Sequence, residues 1–114
     1  MAETCIFCRI VEGQLPGDRV YEDEELLIIR DIAPVAPQHL LIIPRVHLAS
    51  LNEVNEQHHV LLGRMTVAAV REAQRQGLVA SGYRLVMNCG RDAGQGVDHL
   101  HLHVLGGRQL GPIG

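Results

Sequence analysis

Near the C-terminal end of the chain, three histidines recur at every second position: His99, His101 and His103, interleaved with Leu100, Leu102 and Val104. Side chains on an extended backbone alternate faces, so the three imidazoles share one face and the three aliphatic residues share the other. A helix would place neighbours in this run about 200 degrees apart and scatter both sets. The spacing therefore predicts a strand. Imidazoles held this close cannot all be protonated cheaply, because like charges disfavour the charged form. Some stay neutral near neutral pH, and a neutral imidazole is a nucleophile, a base or a metal ligand.

Other residues could complete such a site. Asn88 and the polar turn Gly90 to Gly96, which carries Gly94, Gln95 and Gly96, directly precede the histidines. Backbone N–H groups of such a turn can converge on phosphate oxygens, which would bring oxyanion donors and a neutral nucleophile to one place. Asp31 closes an apolar run. It is either a turn-making residue or an acceptor for ribose hydroxyls, with Ile6, Phe7, Ile10, Ile29 and Leu41 around a base, and the sequence leaves both open. Cys5 and Cys8 form a Cys-x-x-Cys pair, half of a tetrahedral zinc site, and His47 and His99 are available to complete it. A thioredoxin-like redox role is disfavoured, because no strand precedes the pair. Cys89 reads as a small apolar residue.

The elements that must position these residues follow from periodicity. Thr4 can cap a short helix bearing Ile6, Phe7, Ile10 and Val11, with Gly13 as its stop. Val20 and Tyr21 begin a short strand, Leu26 to Ile32 form a buried one, and Pro34 and Pro37 break the connection to a strand from His39 to Ile43. Asn52 or Asn55 caps a long amphipathic helix running to Gln76, with Gly77 as its stop. His58 and His59 fall in its first turns, read as solvent-facing, and are assigned nothing. Tyr83 to Asn88 is a further strand. Strands following strands with two helices predict an α+β fold with a mainly antiparallel sheet.

The 114 residues are read as one domain, 1–114. A formal net charge of −3 with no basic tract argues against a nucleic-acid polymer as partner. The N-terminus lacks the pattern of a signal peptide and no apolar stretch reaches bilayer length, so the reading is cytoplasmic, with no membrane. Three cysteines, an odd number, argue against a disulfide framework there.

The run His99 to Leu105 resembles the signature of the histidine triad (HIT) superfamily, His-φ-His-φ-His-φ-φ with φ apolar. Around it, Cys5 Ile6 Phe7 Cys8, Asp31 Ile32 Ala33 Pro34, Ala36 Pro37 Gln38 His39, Ile43 Pro44 with His47, Asn88, Gly94 Gln95 and Gly106 Gly107 Arg108 resemble its nucleotide-binding protein branch. The resemblance implies a HIT-like fold, a five-stranded antiparallel sheet with two helices, joined edge to edge into a homodimer. It implies hydrolysis of purine nucleoside phosphoramidates of the AMP or GMP type at the α-phosphorus. His101 would be the nucleophile that forms a nucleotidyl-histidine. His103 would contact the phosphate and assist proton transfer, supported by His99 and His39. Asp31 and Ile32 would meet the ribose, and Asn88, Gly94, Gln95 and Gly96 the phosphate.

Members with the cysteine pair resemble zinc binders, here through Cys5, Cys8, His47 and His99, and the chemical step requires no metal. Three features depart from the branch: Gly96 replaces a usual Ser or Thr, Asp98 a usual aromatic or apolar residue, and no Trp ends the tail. Competing readings are a dinucleoside polyphosphate hydrolase, a nucleotide-binding or interaction module with incidental turnover, and a catalytic metal held by His101 and His103.

Overall fold

The computed structural model describes residues 4–113. Helix α1 spans Ile6–Val11, followed by β1 (Arg19–Glu22), β2 (Leu26–Arg30) and β3 (Gln38–Pro44). Helix α2 (His59–Arg75), β4 (Tyr83–Val86) and β5 (Leu102–Gly106) complete the fold. The strands form one five-stranded sheet in the order β1-β2-β3-β5-β4, every pair antiparallel. This is the expected α+β class.

The near-continuous apolar runs of β2 and β3 have a simple cause: the sheet is covered on both faces there. Leu26, Ile28, Leu40 and Ile42 join Leu100, Leu102, Val104, Met65, Ala69 and Ala73 in one buried cluster beneath α2. Leu27, Ile29, Leu41 and Ile43 point the other way, into a second cluster with Cys5, Phe7, Cys8 and Ile10 of the α1 segment. A sheet buried on one side only would show polar residues at alternate positions.

Several boundaries differ from the sequence reading. Cys5, not Thr4, caps α1: its sulfur accepts the Cys8 N–H at 3.3 Å. Neither Asn52 nor Asn55 caps α2 directly. Single 3-10 turns, Leu51–Glu53 and Glu56–His58, come first, capped by Ser50 and Asn55. His58 is not idle, since its Nδ1 accepts the Asn55 N–H at 3.0 Å and closes a capping box. Gly77 does stop α2, with φ at 74°. Strand β2 ends at Arg30 rather than Ile32 because Asp31 Oδ1 accepts the Ala33 N–H at 2.8 Å, turning the chain before Pro34. Strand β4 ends at Val86 rather than Asn88, whose side-chain amide instead donates to the Ala93 carbonyl at 2.8 Å.

The largest correction concerns the histidines. Regular strand β5 begins only at Leu102, so His99 and His101 lie on the irregular segment leading into it. The alternation of faces survives. Leu100 and Leu102 enter the α2 cluster, while the Phe7 ring meets both His99 and His101 on the α1 side.

Candidate functional site

The α1 face of the sheet gathers the histidines into a chain of contacts. His99 is 0% exposed and His101 7%, burial that few histidines tolerate without defined partners. His101 Nδ1 lies 2.6 Å from the His99 carbonyl oxygen. A carbonyl only accepts, so His101 carries its proton on Nδ1 and presents Nε2 as a bare lone pair. Phe7 stands edge-on to the His101 ring at 5.0 Å, and the His103 ring lies 5.0 Å from it as well. The ring's orientation and tautomer are fixed by geometry.

A second tautomer assignment follows the same way. The Val35 N–H donates to His39 Nδ1 at 3.1 Å, so His39 holds its proton on Nε2. That Nε2–H is directed at His103 Nδ1, 2.8 Å away, with Asp31 Oδ2 at 3.3 Å. His103 consequently keeps its own proton on Nε2. Asp31, His39 and His103 thus gather three donor atoms. A nitrogen pair this close, with a proton between, is a hydrogen bond, whereas two imidazoles on a tetrahedral zinc would stand about 3.3 Å apart.

Burial holds these rings neutral. It is the largest cause lowering His103 to about 4, reinforced by His101 and His39 and opposed by Asp31. Burial also lowers His39, partly offset by Asp31. The unfolded chain takes up a proton at His103 near 6.5 while the folded chain does so only near 4. In that window the unfolded state binds more protons, so stability falls as pH drops through it. Urea denaturation is expected to show about 3 kcal/mol lost to this residue between pH 7 and pH 4. His103→Asn should lose that much less over the same interval; an identical pH slope in the variant would contradict the assignment.

The turn before the histidines is braced by its own side chains. Gln95 Nε2 donates to the Ala49 and Val97 carbonyls at 2.8 and 3.0 Å, and its Oε1 accepts the Gly90 N–H at 2.8 Å. The Gly94 and Gln95 N–H groups are spent on the Arg91 and Gly90 carbonyls. The sequence reading offered both as phosphate donors. Here they stiffen the turn, and the Gly96 N–H is the one of the three left without a partner among the described residues.

Beside His101 the four expected donors converge. Cys5 Sγ and Cys8 Sγ lie 3.3 and 3.5 Å from His99 Nδ1, and His47 Nδ1 lies 3.2 Å from Cys8 Sγ and 3.1 Å from His99 Nδ1. Tetrahedral zinc with ordinary bond lengths sets sulfur to nitrogen at about 3.5 Å and nitrogen to nitrogen at about 3.3 Å. The donor set fits. His99 Nε2–H donates to the Pro44 carbonyl at 2.8 Å, which leaves Nδ1 free to ligate and orients the ring as an outer partner of a metal ligand does. Burial, and the neighbouring Cys5, push the Cys8 thiol up to about 11, so a thiolate at Cys8 calls for a cation beside it.

The apolar residues expected around a base divide into two kinds. Phe7, Ile10, Ile29 and Leu41 are buried in one cluster and form a floor, whereas Ile6 and Ile32 are 53% and 97% exposed. Asp31 is half-buried next to Ile32. The Val35 amide and the Pro44 and His99 carbonyls were missed by sequence reasoning, because a backbone group carries no residue-type signal. A cavity of about 450 Å³ lies on the α2 side of the sheet, among Leu26, Ile28, Ala68 and Arg71, and is lined by none of these residues.

The sequence matches, over residues 4–112, the family described as "Scavenger mRNA decapping enzyme C-term binding". It is 46% identical over 113 residues to the purine nucleoside phosphoramidase of Escherichia coli K12, covering 99% of this chain and 95% of that protein. Among solved structures, a HIT family hydrolase from Legionella pneumophila Philadelphia 1 gives a TM-score of 0.92 at 49% identity, covering 93% of this chain and 95% of the other. A zinc-bound histidine triad family protein from Mycobacterium smegmatis gives 0.81 at 34% identity, covering 95% and 78%. With its five-stranded antiparallel sheet and its alternating histidines on one face, the chain belongs to the histidine triad superfamily.

Proposed function

We propose that the protein is a purine nucleoside phosphoramidase whose nucleophile is His101. The observation that carries this reading is the 2.6 Å contact from His101 Nδ1 to the His99 carbonyl, which leaves Nε2 unprotonated beside His103. Similarity over nearly the whole chain to a purine nucleoside phosphoramidase supports the substrate class.

The steps follow from the assigned tautomers. His101 Nε2 attacks the α-phosphorus, a P–N(His101) bond forms, and the P–N bond to the amine breaks. His103 Nε2–H supplies the proton that the departing nitrogen takes up, which leaves His103 Nε2 bare. Water then gives a proton to His103 Nε2 as its oxygen attacks phosphorus, the P–N(His101) bond breaks with its electron pair returning to His101 Nε2, and the nucleoside monophosphate leaves. The Gly96 N–H donates to a phosphate oxygen as charge accumulates there, while Asn88, Gly94 and Gln95 hold the turn in shape. Asp31 accepts from the ribose hydroxyls, with Ile32 and Ile6 flanking the base above the floor of Phe7, Ile10, Ile29 and Leu41.

Cys5, Cys8, His47 and His99 would hold a structural zinc. When bound it would crosslink the α1 segment to His47 and His99, and with four protein donors it would serve structure and not the step at phosphorus, which His101 and His103 carry. His99 then supports His101 through its carbonyl and not as a base. We also propose a single-domain chain that acts in the cytoplasm as a homodimer. The sheet offers two edges for that pairing, β1 and β4. Among the described residues no helix is long and apolar enough to cross a membrane.

The test is incubation with adenosine 5′-monophosphoramidate. AMP and ammonia should appear, and rapid quenching in alkaline denaturant should trap an adenylyl adduct on a peptide containing His101. Faster cleavage of diadenosine polyphosphates than of the amide would instead favour the dinucleoside polyphosphate reading.

Gly96 offers a second check. A Cβ built there meets nothing within 4 Å, and its φ is not positive, so serine fits without strain. Gly96→Ser adds a hydroxyl donor and should raise kcat about tenfold, below the ceiling of ~3 kcal/mol for one such donor. No gain in steady-state kinetics would remove the missing hydroxyl as a brake on turnover.

A further inference from the structure

The connection from β2 to β3, residues 31–37, starts at Asp31 and leads into His39. Val35, near its middle, is 61% exposed, so its side chain has little to pack against. Yet Val35 sets the proton on His39, because its N–H is the donor to His39 Nδ1. The segment leaving β5 holds this connection at two points. Gly107, with φ at 97°, brings its backbone against Pro37, where an added Cβ would stand 2.9 Å from the proline's own Cβ. Arg108 Nη2 then donates to the Val35 carbonyl at 2.8 Å, while its Nη1 donates to the Gln109 carbonyl at 3.0 Å. Among the described residues, Arg108 is the one side chain outside residues 31–39 that hydrogen-bonds to the connection.

What Val35 does to His39 passes on to His103. With the amide in place, His39 donates from Nε2 to His103 Nδ1, and His103 keeps on Nε2 the proton that the departing amine takes up. The alternative moves two protons. If the Val35 N–H turns away, a proton can sit on His39 Nδ1 facing solvent, His39 Nε2 becomes the acceptor, and His103 must donate from Nδ1. His103 Nε2 is then bare, and no proton is aimed at the leaving group. Total charge and proton count are the same in both arrangements. Asp31 Oδ2, 3.3 Å from His39 Nε2, also favours a proton there, so losing the Val35 amide shifts the balance only in part.

We propose that Arg108 is a positioning residue for proton delivery: by holding the Val35 carbonyl it keeps the same residue's amide on His39 Nδ1, and so keeps His103 in the tautomer that protonates the leaving nitrogen. This rests on the phosphoramidase reading, with His103 as the donor, and deepens it. Its effect depends on the leaving group. An amine must gain a proton as the P–N bond breaks, whereas 4-nitrophenolate departs as a stable anion and needs none.

The test is the single-turnover rate of adenylyl transfer to His101 from adenosine 5′-monophosphoramidate and from adenosine 5′-(4-nitrophenyl) phosphate, in the wild type and in Arg108→Ala. The variant should be about three- to tenfold slower on the amide, a fraction of the roughly 10²-fold or more that a general acid contributes, and slower by less than about twofold on the aryl ester. A merely structural role for Arg108 would slow both substrates together. Long-range proton–nitrogen NMR spectra of the free protein read the tautomer without substrate: His39 Nδ1 should be unprotonated in the wild type and partly protonated in Arg108→Ala. Equal slowing on both substrates, an unchanged amide rate or an unchanged His39 tautomer overturns the inference, while cleavage of the amide by the wild type leaves the phosphoramidase reading standing. A wild type that does not cleave the amide overturns that reading and the inference with it.

Discussion

His101→Ala is expected to lower kcat on adenosine 5′-monophosphoramidate by at least ~10³-fold and to abolish the alkali-stable, acid-labile adenylyl adduct, since removing a nucleophile deletes the step and not merely a contact. The physical case rests on how little freedom the ring has. It is 7% exposed, held by the His99 carbonyl on Nδ1 and flanked by Phe7 and His103. No neighbour can take over. His103 Nδ1 is occupied by His39, and His99 Nδ1 is turned toward Cys5, Cys8 and His47. Nucleotide affinity should change by only a few-fold, because Asp31 and the glycine turn remain. Single-turnover kinetics with an AMP-binding titration measure the two separately. A variant retaining a tenth of wild-type turnover would show that phosphorus is attacked by something other than this imidazole.

Removal of the proposed zinc has the second largest expected effect. Helix α1 has only six residues, too few to be stable by itself, and its docking depends on Cys5, Phe7, Cys8 and Ile10. Stripping the cation leaves two buried sulfurs and the wholly buried His99 without the partner that the donor geometry suits. Chelation, or Cys8→Ser, should lower the thermal midpoint by more than about 10 °C, corresponding to a loss of several kcal/mol in a domain of this size. The effect should reach the chemistry as well. His99 supplies the carbonyl that sets the His101 tautomer, so kcat should fall while KM changes little. Elemental analysis of protein purified without chelator, followed by thermal denaturation with and without chelator, checks both parts. Protein that carries no zinc after mild purification would refute the metal site and leave the cluster as hydrogen-bonded thiols.

The two effects are separable by where they act. Loss of His101 removes the reacting atom and should leave the melting temperature within a few degrees, whereas loss of the metal moves stability first and turnover through it. The dependence of stability on His103 adds an acid limit independent of both.

Much of this was legible in the chain. The period-two histidines, the Cys-x-x-Cys pair and His47 are side-chain patterns, and side-chain chemistry at fixed spacing is what a sequence displays. The apolar runs of β2 and β3 likewise revealed a sheet covered on both faces, since alternation disappears only when neither face meets water. Local backbone competition was harder to read. Asp31 ended β2 two residues early through its own Asx turn, and Cys5 displaced Thr4 as the cap because a sulfur, an unusual acceptor, was already aimed at the Cys8 N–H.

The sequence by itself determined the chemical inventory and the faces: which imidazoles, thiols and carboxylate exist, and that Leu100, Leu102 and Val104 turn away from the histidines. Only the tertiary structure decided which nitrogen of each ring carries its proton. Those choices are made by the Val35 amide and the Pro44 and His99 carbonyls, and by a brace that spends the Gly94 and Gln95 amides before any phosphate arrives. The reason is physical. Every residue except proline carries the same backbone donor, every residue the same acceptor, and their directions come into being only when distant segments meet.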